Sequence, residues 1–230
     1  MKRVIAILLS CCLLLGLSGC SRNKGASPDG LTAGTYDYSH AKFNELRQYY
    51  FDYFLELYGI KHLESDKNGN YSDEDVITFA FVYLSRGLGE DISEGVTKKR
   101  LNEVAEKYLA HTITDFDTDC SMVNPANDKV IFTQYSIDFF GDVMVLQKLI
   151  VKKDGTHEAE FHRCTLPDEF WVEQPVPNAF EKLVTGDYKP FGTDITVTPL
   201  RVVFKVLVDK KNNNKQYLQI STMKPAALDG

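Results

Sequence analysis

Residues 142–164 read DVMVLQKLIVKKDGTHEAEFHRC, and this stretch decides the fold. From Asp142 to Lys152 the chain is rich in Val, Ile and Leu; Lys153-Asp154-Gly155 supplies a turn, and His157 to Cys164 returns. Glycine reaches the positive φ of a tight turn without strain, so the stretch predicts an antiparallel hairpin. A step of two along a strand keeps side chains on one face. Glu158, Glu160, His162 and Cys164 therefore share a face, and His157 goes to the other.

A second hairpin is expected from Leu200 to Val208, through Asp209 to Lys215, and back along Gln216 to Thr222. Lys129 to Tyr135 and Asp168 to Glu173, around Trp171, predict further short strands. Pro175, Pro177, Pro190, Gly186 and Gly192 mark loops between the hairpins, with a short helix near Asn178 to Leu183. Toward the N-terminus the period becomes helical. Phe43, Leu46, Tyr50, Phe54 and Leu57 recur at steps of three and four, which predicts a helix over Tyr38 to Tyr58 stopped by Gly59. Its aromatic run, Tyr49, Tyr50, Phe51, Tyr53 and Phe54, is wider than one buried face needs. Core packing accounts for most of it, and a ligand-lining or partner-facing strip is the lesser reading.

Ser72-Asp73-Glu74-Asp75 looks like a capping box opening a second helix, with Val76, Phe79, Ala80 and Tyr83 as its buried stripe and Gly87 and Gly89 at its end. A third helix over Thr97 to Leu109 buries Leu101, Val104, Ala105 and Tyr108. Helices first and antiparallel strands afterwards predict an α+β fold, with N-terminal helices packed on one face of a curved antiparallel β-sheet. In architecture alone this resembles NTF2-like and cystatin-like cones, which host both enzymes and binding modules, so the likeness implies no activity.

The chain opens with Lys2-Arg3, continues in an apolar run from Val4 to Leu17, and reaches Leu17-Ser18-Gly19-Cys20. The run is about fourteen residues long, short of the ~20 a bilayer span needs and the right size for the core of a signal peptide. Leucine, two small residues and a cysteine resemble the lipobox of bacterial lipoproteins. In length and layout the chain also resembles lipoproteins of Firmicutes. The resemblance implies cleavage before Cys20, lipid such as palmitate on that residue, and a place on the extracytoplasmic face of a cell membrane. Two or more acyl chains make a stable anchor where one is marginal. The expected division is a signal peptide over 1–19, a lipidated flexible tether over 20–36, and one globular domain over 37–230. The tether is rich in Gly, Ser and Pro, and about fifteen such residues extend to roughly 50 Å.

Loss of residues 1–19 removes two of the 26 basic side chains and none of the 32 acidic ones, moving the net charge from −6 to about −8. That balance argues against nucleic acid, which is bound through clustered Lys and Arg. Cys120 and Cys164 remain, either to pair as a disulfide in an oxidising compartment or to stay small buried thiols.

The chemical motifs mostly fail. His157 and His162 stand five apart, whereas two zinc-binding histidines on one helix face stand four apart. Asp115, Asp117, Asp119 and Asp66, Asn68, Asn70 have the one-three-five spacing of a calcium loop but lack its glycine and its terminal glutamate. A dyad of Cys120 or Cys164 with His111 or His162 has no support from spacing. No cofactor or metal is implied. The expectation is a non-catalytic ligand-binding or protein-interaction module; the alternative is a hydrolase-like enzyme acting on an envelope component.

Overall fold

The computed structural model describes residues 29–60, 63–133, 142–167, 176–192 and 195–226. Its elements run β1 (Gly34–Tyr36), α1 (Phe43–Glu56), α2 (Asp73–Val82), β2 (Val96–Thr97), α3 (Lys98–Leu109), β3 (Ser121–Asn124) and β4 (Lys129–Phe132). They continue with β5 (Asp142–Val151), β6 (Thr156–Thr165), α4 (Ala179–Thr185), β7 (Thr196–Asp209) and β8 (Lys215–Pro225). The class is α+β, as the switch from helical to strand period implies. Residues 168–173, expected as a strand, lie outside the described residues.

The hairpin of residues 142–164 is the centre of a five-stranded antiparallel sheet ordered β1-β5-β6-β7-β8. Gly155, at φ +81°, makes the turn. Gln147 is an extra residue in β5, between the pairs Leu146–Phe161 and Lys148–Glu160. Such a bulge reverses which face the following residues meet. Val143 and Val145 therefore pack into one apolar cluster, while Leu149 and Val151 join the other.

The larger cluster lies between the sheet and α1, α2 and α3. Tyr50 and Phe54 of α1 meet Phe161 edge-on at 6.0 and 5.2 Å, and Tyr50 meets Phe204 at 5.6 Å. The opposite face carries a second cluster, in which Leu183 and Val184 of α4, with Phe191, cover Val143, Val145 and Cys164. Helices thus cover both faces, not one as expected, because the bulge leaves apolar side chains on each.

Three departures from expectation have local causes. Helix α1 starts at Phe43 rather than Tyr38, because Asp37 Oδ1 accepts from the Ser39 amide and holds the chain in a turn. Helix α2 buries Ile77, Phe81 and Val82 as well as the expected stripe. A separate sheet, β2-β4-β3, covers its far side, with Phe81 stacked on Phe132 at 5.0 Å. The fold also begins earlier than residue 37. Leu31 and Tyr36 are buried, and β1 pairs with β5.

The outer edge of β8 is met by single hydrogen bonds with neighbouring segments rather than by another described strand. Ser65 exchanges hydrogen bonds with Met223, Tyr53 Oη accepts from the Leu218 amide at 2.9 Å, and Gln219 donates to the Glu106 carbonyl. Covering an edge in this way prevents it from pairing with another chain.

Asp73 fastens the loop after α3 to the start of α2. Its Oδ1 lies 2.6 Å from His111 Nε2, and its Oδ2 accepts from the Thr114 amide and hydroxyl and from the Asp115 amide. Partial burial raises its pKa, but the bonds from His111, Asp115 and Thr114 outweigh this and hold it at about 2. A depressed carboxylate contributes stability above its unfolded value of 3.8 and loses it as pH falls toward 2. Asp73→Ala is expected to cost on the order of 2 kcal/mol in urea unfolding at pH 7, with the gap to the parent protein closing by about pH 2.

Candidate functional site

Helix α1 uses two faces. Phe43, Arg47, Tyr50 and Phe54 point into the protein, while Tyr49, Asp52, Tyr53 and Glu56, spaced three and four apart, line one wall of a groove. The other walls come from α3, from the turn after α2, and from the loop joining β7 to β8. The cavity measures about 870 Å³.

The turn after α2 is a single π-helical turn, Tyr83–Gly87, closed by the Leu88 amide donating to the Tyr83 carbonyl at 3.0 Å. Such turns insert one residue into a helix and often sit at functional sites. Here it presents Arg86 and Leu88 to the groove. Gly87 is required by the ring of Tyr83, since a Cβ there would stand 2.8 Å from Cδ2. Tyr83 and Tyr108 share a hydrogen bond of 2.6 Å between hydroxyls, and Tyr108 meets Tyr217 edge-on. Lys107 lies over the rings of Tyr108 and Tyr217, at 5.4 and 5.0 Å, while pairing with Asp209 at 2.7 Å.

The lining charges balance: Asp52, Glu56, Glu103 and Asp209 against Arg86, Arg100, Lys107 and Lys215. Arg100 is neutralised by Glu90 and Glu103. Burial pushes the phenols of Tyr49, Tyr53 and Tyr108 up, so these rings stay protonated and act as hydrogen-bonding surfaces rather than as bases. At the rim Tyr49 and Tyr58 are each 41 % exposed.

A second polar cluster lies under α4. His162 Nδ1 is 3.0 Å from the Tyr188 hydroxyl, which receives the Gln147 amide at 3.4 Å, and the Cys164 thiol donates to the His162 carbonyl at 4.0 Å. Arg47 enters from α1, its Cζ 4.9 Å from the Tyr38 ring centroid. Burial, then Arg47, lowers the His162 pKa, and burial lifts that of Cys164 to about 11. Cys164 is therefore a thiol at neutral pH and no nucleophile.

Of the residues singled out in the sequence, Glu158, Glu160, His162 and Cys164 do share a side of β6, opposite buried His157. His157 is a structural residue, with its nitrogens 3.1 Å from the Gly155 carbonyl and 3.0 Å from Asp29 Oδ2. Cys120 and Cys164 do not form a disulfide. Both are free and buried, Cys120 in the larger cluster and Cys164 in the second, on opposite faces of the sheet. Nor does either thiol join His111, which binds Asp73. Asp66 Oδ1 accepts from the Asn68 and Asn70 amides, and Asp115 and Asp117 accept from the Asp117 and Val123 amides, so the calcium-like runs are turns. Among the described residues no three His, Cys, Asp or Glu side chains gather as a metal site, and no helix is long and apolar enough to cross a membrane. Cys20 lies outside them.

No family model, curated protein or solved structure matches this chain. The groove and the cluster must therefore be read from their own residues.

Tyr49 and Tyr53 belong to the aromatic run flagged in the sequence. Tyr83, Tyr108 and Tyr217 come from three separate elements, and no local pattern joins them. Arg47 was missed, although it stands four residues after Phe43 and three before Tyr50, on the buried stripe.

Tyr53 links groove and sheet edge. Tyr53→Phe is expected to cost about 1 kcal/mol in chemical denaturation, the usual net value of one hydrogen bond. Hydrogen exchange at the Leu218 amide should quicken with it.

Proposed function

We propose that this chain is a lipid-anchored lipoprotein on the extracytoplasmic face of a membrane, whose domain binds a polar segment of a partner protein in the tyrosine-lined groove. The groove itself carries the reading. Tyrosines supply large contact area at low entropic cost and, with arginine, are over-represented in protein interfaces. Tyr49 and Tyr58 are presented at the rim, while Tyr83, Tyr108 and Tyr217 are already held in place by contacts with one another. Pre-organised rings reduce the cost of binding. Balanced lining charge favours a ligand without strong net charge, and an acidic chain favours neither nucleic acid nor an anionic surface.

Photo-crosslinkers placed at Tyr49 and at Phe180 test the groove, because Phe180 is comparably exposed but belongs to α4 on the other face of the sheet. In cells, adducts are expected from position 49 and not from position 180; equal labelling at both would refute the groove as the binding surface. Anchoring is tested separately. Cys20→Ser should abolish incorporation of labelled fatty acid and leave a chain of precursor size, and retained label would overturn the lipoprotein reading.

A further inference from the structure

We infer that Arg47 is the recognition element of a second site, which binds a single oxyanion group, a carboxylate or a phosphate, beneath Tyr38. Arg47 is 3 % exposed, and among the described residues nothing accepts a hydrogen bond from its Nε or Nη2. Those two nitrogens form one edge of the guanidinium, with parallel N–H bonds that match two oxygens of a carboxylate or phosphate. The unsatisfied atoms are thus a complete fork rather than scattered donors. A buried cation is ordinarily paired, and no described carboxylate forms a salt bridge with Arg47; its neighbours are the phenols of Tyr38 and Tyr188 and the rings of Tyr38 and Phe43.

Two neighbours border the fork. Gly186 ends α4 and leaves its open side toward the fork: a Cβ there would stand 3.0 Å from Nη2 and 3.4 Å from Tyr38 Oη. A residue larger than glycine would press on both groups. Tyr38 is 62 % exposed and lies on the guanidinium, held by one described hydrogen bond, its hydroxyl donating to Gln147 Oε1 at 2.8 Å. Rotation of this one side chain would bare the part of the guanidinium that its ring covers. The site is separate from the groove and does not depend on what the groove binds.

The test uses the purified full-length chain, with sodium phosphate and sodium acetate each titrated against sodium chloride at constant ionic strength. Two readouts run together: the thermal midpoint and the NMR shift of the Arg47 Nε–H. At roughly tenfold excess over the dissociation constant, the effective anion is expected to raise the midpoint by about 4 °C and to move the Nε–H resonance. A response to phosphate alone assigns a phosphate-bearing ligand; a response to acetate assigns a carboxylate. Arg47→Lys, which keeps the charge and loses the fork, should weaken the effect about tenfold. Tyr38→Ala, a change at an exposed side chain, should strengthen it. An unmoved Nε–H with both anions, or an undiminished midpoint response in Arg47→Lys, overturns the site. If Arg47→Lys does not fold, the parent protein's Nε–H resonance and Tyr38→Ala decide, and a Tyr38→Ala response no stronger than the parent's counts against it.

Discussion

The packing of α1 across β5 is the constraint on which the rest of the structure depends. Tyr50 and Phe54 press on Phe161 and Phe204 in the larger cluster, and Phe51 reaches the second cluster on the far side. One helix therefore closes both cores, and its remaining positions serve both polar sites. Tyr49 and Tyr53 form a groove wall; Arg47 lies beneath Tyr38. The bulge at Gln147 makes this possible, because it lets one strand supply Val143 and Val145 to one cluster and Leu149 and Val151 to the other. A regular strand would have placed all four on one face.

Much of this was readable in the sequence where the signal is local. Runs rich in Val, Ile, Leu and Phe between turn residues located β4, β5, β6, β7 and β8, and three-four spacing located α1, α2 and α3. Other strands left no such trace. Strands β1, β2 and β3 span three, two and four residues, too few for a period to emerge, and their partners define them. The second sheet was therefore missed, and with it the reason Ile77 and Phe81 are buried as fully as Val76 and Phe79. Tyr83, Tyr108 and Tyr217 converge on the groove only through the tertiary fold. Cysteine count likewise carries no geometry, which is why it leaves the pairing of Cys120 and Cys164 open; both are free and buried.

The balance of polar groups distinguishes the two sites. In the groove, Arg100 meets Glu90, Lys107 meets Asp209 and the Tyr83 and Tyr108 hydroxyls meet each other, so these polar groups are satisfied before anything binds. Its contribution to a partner lies in shape and ring area. Around Arg47 the balance is reversed: the fold buries a charge and leaves its fork without an acceptor among the described residues. A buried donor left without an acceptor works against stability, and the most direct compensation is an acceptor brought by a ligand.

Strand register fixes where the chain enters relative to these sites. Thr156 pairs with Lys205, and β7 continues past it to Asp209, so the β7–β8 loop projects from the same end of the sheet as the turn at Gly155. Asp29 binds His157 at that end, and its charge also acts on Tyr49. The groove thus opens beside the point where the chain enters the fold, while His162 and Cys164 lie farther along β6. Nine residue steps separate Cys20 from Asp29, a span of at most ~32 Å, shorter than the roughly 50 Å expected of a tether running to Thr35. With the lipid on Cys20, as proposed, the bilayer would lie within that distance of Asp29, beside the groove. A partner reaching the groove would then have to present its binding segment close to the membrane, which favours a neighbouring membrane protein over a freely diffusing one.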